Sequence, residues 1–200
     1  FRSHTLCETV LNQTGGSIES STAFSSLAEQ FGRALDEEGR AGYLRSLLNR
    51  KTLDPNDTSR DGRGQPNRVA RSEPHALSEV LSGALYTVMV NIHGTLKRKY
   101  AQEEGRSEYE VSGKGLWVGA ERFKRMIFRA LDYLPPGEVS FADYGRAIIT
   151  ADQASHPDDE QEREWIRQEF VRRHMVPSRE ALEVKTNFEH PALKEIDLQT

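Results

Sequence analysis

Six histidines (His4, His75, His93, His156, His174 and His190) and one cysteine, Cys7, are the side chains best suited to metal, acid-base or nucleophilic chemistry. A zinc hydrolase ordinarily sets two histidines at i and i+4 on one helix with a glutamate between them, so that both imidazoles reach one metal. No pair here has that spacing. A G-x-S-x-G nucleophile elbow, a G-x-x-x-x-G-K-[ST] phosphate loop and a G-x-G-x-x-G opening a helix are also absent. Ser112-Gly113-Lys114-Gly115 reads as a flexible loop, so the residues spell out no complete active site.

His75 is the candidate that remains. It follows a long polar stretch and opens the most apolar helical pattern of the chain. A helix N-terminus presents unbonded N–H groups and partial positive charge. An imidazole N–H there suits a developing oxyanion. The plainer reading is a solvated first-turn residue. His93 reads as packed or half-exposed, His174 as a helix C-terminal residue, and His156 and His190 as loop residues before prolines. Cys7 reads as an ordinary thiol. Glu103-Glu104, Asp158-Asp159-Glu160 and Glu162 read as solvated helix ends, and Trp165 and Phe170 as core.

Leu77, Val80, Leu81, Ala84, Leu85, Val88, Met89, Ile92 and Leu96 form a stripe at helical spacing, predicting a long helix over roughly 73–103. Ser72 is its expected N-cap and Gly105 its stop. Before it, a helix is expected from Phe24 to about Leu35, capped by Ser21 or Thr22 and ended by Gly39. A second, short one carries Tyr43, Leu44, Leu47 and Leu48. Residues 54–68 hold no apolar side chain and predict an exposed loop. Residues 105–115 read as a glycine-rich linker, and 116–134 as a helix stopped by Pro135-Pro136-Gly137. Ser140 is expected to cap a shorter helix with Tyr144, Ala147, Ile148 and Ala151 inward. The last helix opens at His156-Pro157, turns Trp165, Ile166, Phe170 and Val171 inward, and trails Arg172, Arg173 and His174 for its dipole. The expected fold class is all-α. Residues 1–20 form a weakly structured lead-in, 21–176 a helical bundle and 177–200 a tail.

Two hundred residues with 36% hydrophobic and 29% charged side chains are enough for one sizeable domain. A single cysteine excludes an internal disulfide and a multi-cysteine zinc site. A net charge of −4 offers no broad basic surface, so no nucleic-acid partner is expected. No apolar run is long enough for a membrane span. The lone thiol and the lack of a signal-like segment slightly favour a cytoplasmic setting.

Three stretches, residues 26–35 (SLAEQFGRAL), 73–86 (EPHALSEVLSGALY) and 129–152 (RALDYLPPGEVSFADYGRAIITAD), together resemble the helical part of gluzincin metallopeptidases. That group is similar in plan to the thermolysin-like enzymes. The match runs in register over roughly residues 20–176. It implies a helical bundle like the carboxy-terminal domain of those enzymes, lining one wall of the cleft that receives a peptide or protein substrate. His75 matches the oxyanion-stabilising histidine, and Ser78 matches a nearby substrate-binding position. The resemblance places the H-E-x-x-H and the third-ligand glutamate upstream of Phe1. Zinc is then the cofactor of the longer enzyme, with none bound by this chain alone, and the upstream zinc-binding half is its partner. Thermolysin-like enzymes carry an aspartate five residues before that histidine, where Ala70 stands here. The alternative is a non-catalytic helical interaction domain or degenerate peptidase relative.

Overall fold

The computed structural model describes residues 4–20, 25–27 and 45–184. Helices dominate: α1 (His4–Gln13), α2 (Pro74–Glu104), α3 (Glu108–Arg129), α4 (Phe141–Ser155) and α5 (Gln161–Arg172). Short 3-10 turns follow at Ala130–Tyr133 and Arg179–Leu182. Extended structure is slight. Strands β1 (Ser26–Leu27) and β2 (Arg45–Ser46) pair antiparallel, with Ser26 opposite Ser46 and Leu27 opposite Arg45. The all-α expectation holds at that level.

Helix α2 is the axis. Along one side Val80, Ala84, Val88, Ile92 and Leu96 meet Met126, Ile148, Ile166 and Phe170 of the later helices. Met89 faces a smaller cluster with Leu11, Ile18 and Leu116. A helix apolar on several sides is buried by its neighbours on each of them, and α2 packs against both α3 and α5. The extended backbone of Glu73 makes it the N-cap, one residue later than Ser72, and its carboxylate accepts the His75 N–H. Gly105 ends the helix with φ 64°, a left-handed conformation that only glycine adopts at no steric cost.

The stretch expected to be a linker is helix. Ser107 and Glu110 form a reciprocal capping box that starts α3 at Glu108. Gly115, which suggested a loop, serves close packing instead, as does Gly119 within the expected helix. A Cβ on Gly119 would sit 3.2 Å from Ile92, and one on Gly115 would sit 3.4 Å from the Lys97 backbone. Ser140 caps α4 as expected, with Asp143 completing the box. Helix α5 begins at Gln161 and not at His156. Phe170 and Ile166 are its buried apolar residues, with Trp165 and Val171 partly buried beside them.

The amino-terminal readings need correction. The lead-in contains α1, because Val10, Leu11 and Ile18 are buried despite the Gly15-Gly16 break. Ser26 and Leu27 are extended where helix is expected; residues 21–24, with the expected caps and Phe24, and residues 28–44 lie outside the described residues. Arg45–Ser46 is a strand and Leu47-Leu48 a turn, not a helix. The Ser46 hydroxyl accepts the Leu48 N–H and Asn49 Oδ1 accepts the Lys51 N–H, local bonds that compete with helix. At the other end, Leu182 is fully buried and Arg146 donates to the Ala181 carbonyl at 2.7 Å, so the chain to Val184 belongs to the bundle. Residues 185–200 lie outside the described residues.

Five charged side chains are buried among the described residues: Asp152, Glu162, Arg163, Glu169 and Arg173. Arg173, expected to trail the last helix for its dipole, is 1% exposed. It pairs with Glu169 at 3.2 Å and donates to Asn49 Oδ1, the Asn49 carbonyl and the Lys51 carbonyl at 2.9–3.0 Å. Its own carbonyl accepts the Leu53 N–H at 2.9 Å. Arg163, also 1% exposed, meets Asp152 at 3.1 Å. Glu162, expected to be solvated, is buried beside Arg122 at 3.1 Å; burial pushes its carboxyl up, against the pull of that guanidinium.

His93 is the buried histidine of the α2–α3 seam. Its Nε2 lies 3.1 Å from the Ser112 carbonyl, and burial pulls its pKa down to about 4, with the Ser112 bond opposing and the Lys97 charge assisting. It is therefore neutral at pH 7, with Nε2–H donating. The unfolded chain takes up the proton near the ordinary pH 6.5 and the folded one only near pH 4. Stability is full above about pH 6.5 and falls on acidification toward pH 4, by on the order of 3 kcal/mol. Chemical denaturation at several pH values should show a shallower loss for His93→Gln, which keeps a donor without the titration. Equal pH dependence in the two chains would refute this assignment.

Candidate functional site

His75 stands in the first turn of α2 and is exposed, as are its neighbours from Ala70 to Pro74. Three local bonds define that turn. The Glu73 N–H donates to the Ala70 carbonyl at 3.3 Å, Glu73 Oε1 accepts the His75 N–H at 3.2 Å, and the Ser78 hydroxyl donates to the His75 carbonyl at 2.6 Å. Pro74 occupies a position where no helical N–H is needed. Arg71 donates to the His174 carbonyl at 3.1 Å, tying this end of α2 to the end of α5.

This frame brings His75 and Ser78 together on one exposed turn. Glu73 Oε1 is engaged by the His75 backbone N–H, and Ala70 has no side-chain polar group. Neither cleft described below the surface of the bundle includes His75. The first, about 580 Å³, lies between the Ala130–Tyr133 turn, α4 and the segment ending at Val184. The second, about 230 Å³, lies between α3 and α4 and contains His156.

Among the described residues no three His, Cys, Asp or Glu side chains are grouped to hold a metal ion. The loop at 54–68 is mostly exposed, as expected, and Asp57, Ser59, Asp61 and Gly62 follow the spacing of the first ligands and turn glycine of a calcium loop. The loop uses those oxygens itself. Asp57 Oδ1 accepts the Ser59 N–H at 2.7 Å, and Asp61 Oδ1 accepts the Arg63 and Gln65 N–H groups at 2.9 Å. The Lys51 ammonium lies 3.6 Å from Asp61 Oδ2, and Arg68 occupies the place of the closing carboxylate. An internal cation already balances this loop.

The polar cluster that single-residue reading missed joins α4 to α5. Asp152 Oδ1 lies 3.3 Å from His156 Nδ1 while Oδ2 accepts from Arg163. Asp152 and His156 are four residues apart on one helix face, the only hint of the pair in the sequence. Arg122 bonds Asp159 at 2.5 Å and holds that carboxyl below the usual range. No helix among the described residues is long and apolar enough to cross a membrane. Compared with family models, with curated proteins and with solved structures, the chain matches none of them.

Proposed function

We propose that this chain is the carboxy-terminal helical half of a gluzincin-type zinc peptidase, forming one wall of the cleft in which a peptide bond is cleaved. The observation that carries the reading is the exposed His75 in the first turn of the 31-residue central helix. Zinc, held by an upstream H-E-x-x-H segment, would supply the activated water for hydrolysis. His75 donates an imidazole N–H toward the oxygen that gains negative charge, in a field already positive from the end of α2. Ser78 belongs to the same exposed turn, and its bond to the His75 carbonyl braces the backbone that carries the imidazole.

A second reading, a helical interaction domain without catalysis, is favoured by one observation. Ala70 cannot orient the imidazole and the Glu73 carboxylate caps the helix. The two readings separate in a polypeptide that extends this chain through its upstream segment. The peptidase reading expects one zinc per chain and hydrolysis of a denatured protein substrate there, with neither in the 200-residue chain alone. Stoichiometric zinc in the shorter chain, or an upstream segment without H-E-x-x-H, overturns it.

A further inference from the structure

The cleft of about 230 Å³ between α3 and α4 is lined by Arg125, Met126, Arg129, Asp152, Ser155 and His156 among others. Arg125 and Arg129 are one turn apart on α3 and share a face. Neither pairs with a carboxylate among the described residues; Arg129 donates to the Ser155 hydroxyl at 2.5 Å. That is exceptional in this part of the chain. The other arginines from Arg106 to Arg179 each meet an acid. The one carboxylate in the cleft, Asp152, is 2% exposed and neutralised from behind by Arg163, while its second oxygen engages His156. Two guanidinium charges are therefore left facing a space that holds one tetrahedral oxyanion and a few waters.

We propose that this cleft binds a phosphate group, as inorganic phosphate or as a small phosphate monoester. Two guanidiniums match the charge of a phosphate dianion and offer paired N–H donors to its oxygens. A carboxylate would leave one of them uncompensated. Asp152 holds the His156 ring by Nδ1, which sets the imidazole at the rim. The site needs neither zinc nor the cleft at His75, so it stands apart from the peptidase reading.

The test is a titration of the 200-residue chain with inorganic phosphate and, separately, with phosphoserine, following backbone amide NMR signals. Saturable shifts at Ala151, Ser155 and His156 are expected. The exposed Arg125→Ala and Arg129→Ala changes should each weaken binding about tenfold, and together they should abolish saturation. Arg98→Ala, on α2, should leave binding unchanged. Tighter binding of the monoester assigns the occupant to a phosphorylated small molecule, and tighter binding of inorganic phosphate assigns it to the free anion. Shifts that do not saturate, that chloride reproduces at equal ionic strength, or that survive the double change overturn the proposal.

Discussion

Asp152→Ala is expected to destabilise the folded chain by about 3–5 kcal/mol, the range for removing one partner of a buried ion pair. The side chains of Asp152 and Arg163 are each 1% exposed, and the alanine leaves the guanidinium among carbonyls with no buried counter-charge. Its bonds to the His156 and Pro157 carbonyls, at 2.8 and 3.2 Å, satisfy N–H groups but carry no negative charge. Glu160, 3.4 Å away, has a side chain 70% exposed and compensates little. Arg163 Nε has no partner already, so the network has no slack. Urea denaturation measures the loss. A double change, Asp152→Ala with Arg163→Met, should recover most of it, because the unpaired charge goes with its partner. A single-change loss below about 1 kcal/mol, the range of a surface pair, would show that water reaches this site.

The second large effect belongs to the peptidase reading. In a polypeptide joined to its upstream half, His75→Ala should lower kcat by about 10²–10³ while KM and zinc content hold, because the lost hydrogen bond forms only as charge develops on the reacting oxygen. His75 is exposed and its backbone bonds do not need the ring, so stability should change by no more than about 0.5 kcal/mol. That separates a chemical defect from a folding one. His75→Gln keeps a donor and should recover part of the rate. Unchanged kcat in His75→Ala removes the oxyanion role, and a rise in KM alone would make the residue a binding contact.

What could be seen in the sequence follows from which forces act locally. Helix α2 and the Ser140 cap were legible, since periodicity and capping are properties of neighbouring residues. The first turns of α3 were lost because Gly113 and Gly115 carry the loop signature, whereas a Cβ on Gly115 would crowd the Lys97 backbone. Glu162 reads in sequence as a solvated helix end and Arg173 as a charge trailing the helix for its dipole; only their partners, Arg122 in one case and Asn49 and Lys51 in the other, make burial tolerable. The position of His75 at a helix start was readable, but that Glu73 caps the helix through the His75 N–H depended on the local backbone conformation. The Arg125–Arg129 cleft was invisible, because what distinguishes those two arginines is the absence of partners that their relatives have.

The Arg173 clamp has a consequence for biogenesis. Its bonds to Asn49 and Lys51 span 124 and 122 residues. At ordinary elongation rates, the ribosome adds that much polypeptide over on the order of ten seconds. During that interval the segment at Asn49–Leu53 has emerged without the guanidinium that fastens it. Nascent chains halted before Arg173 should be cut by protease near residue 50, and chains released after it should resist.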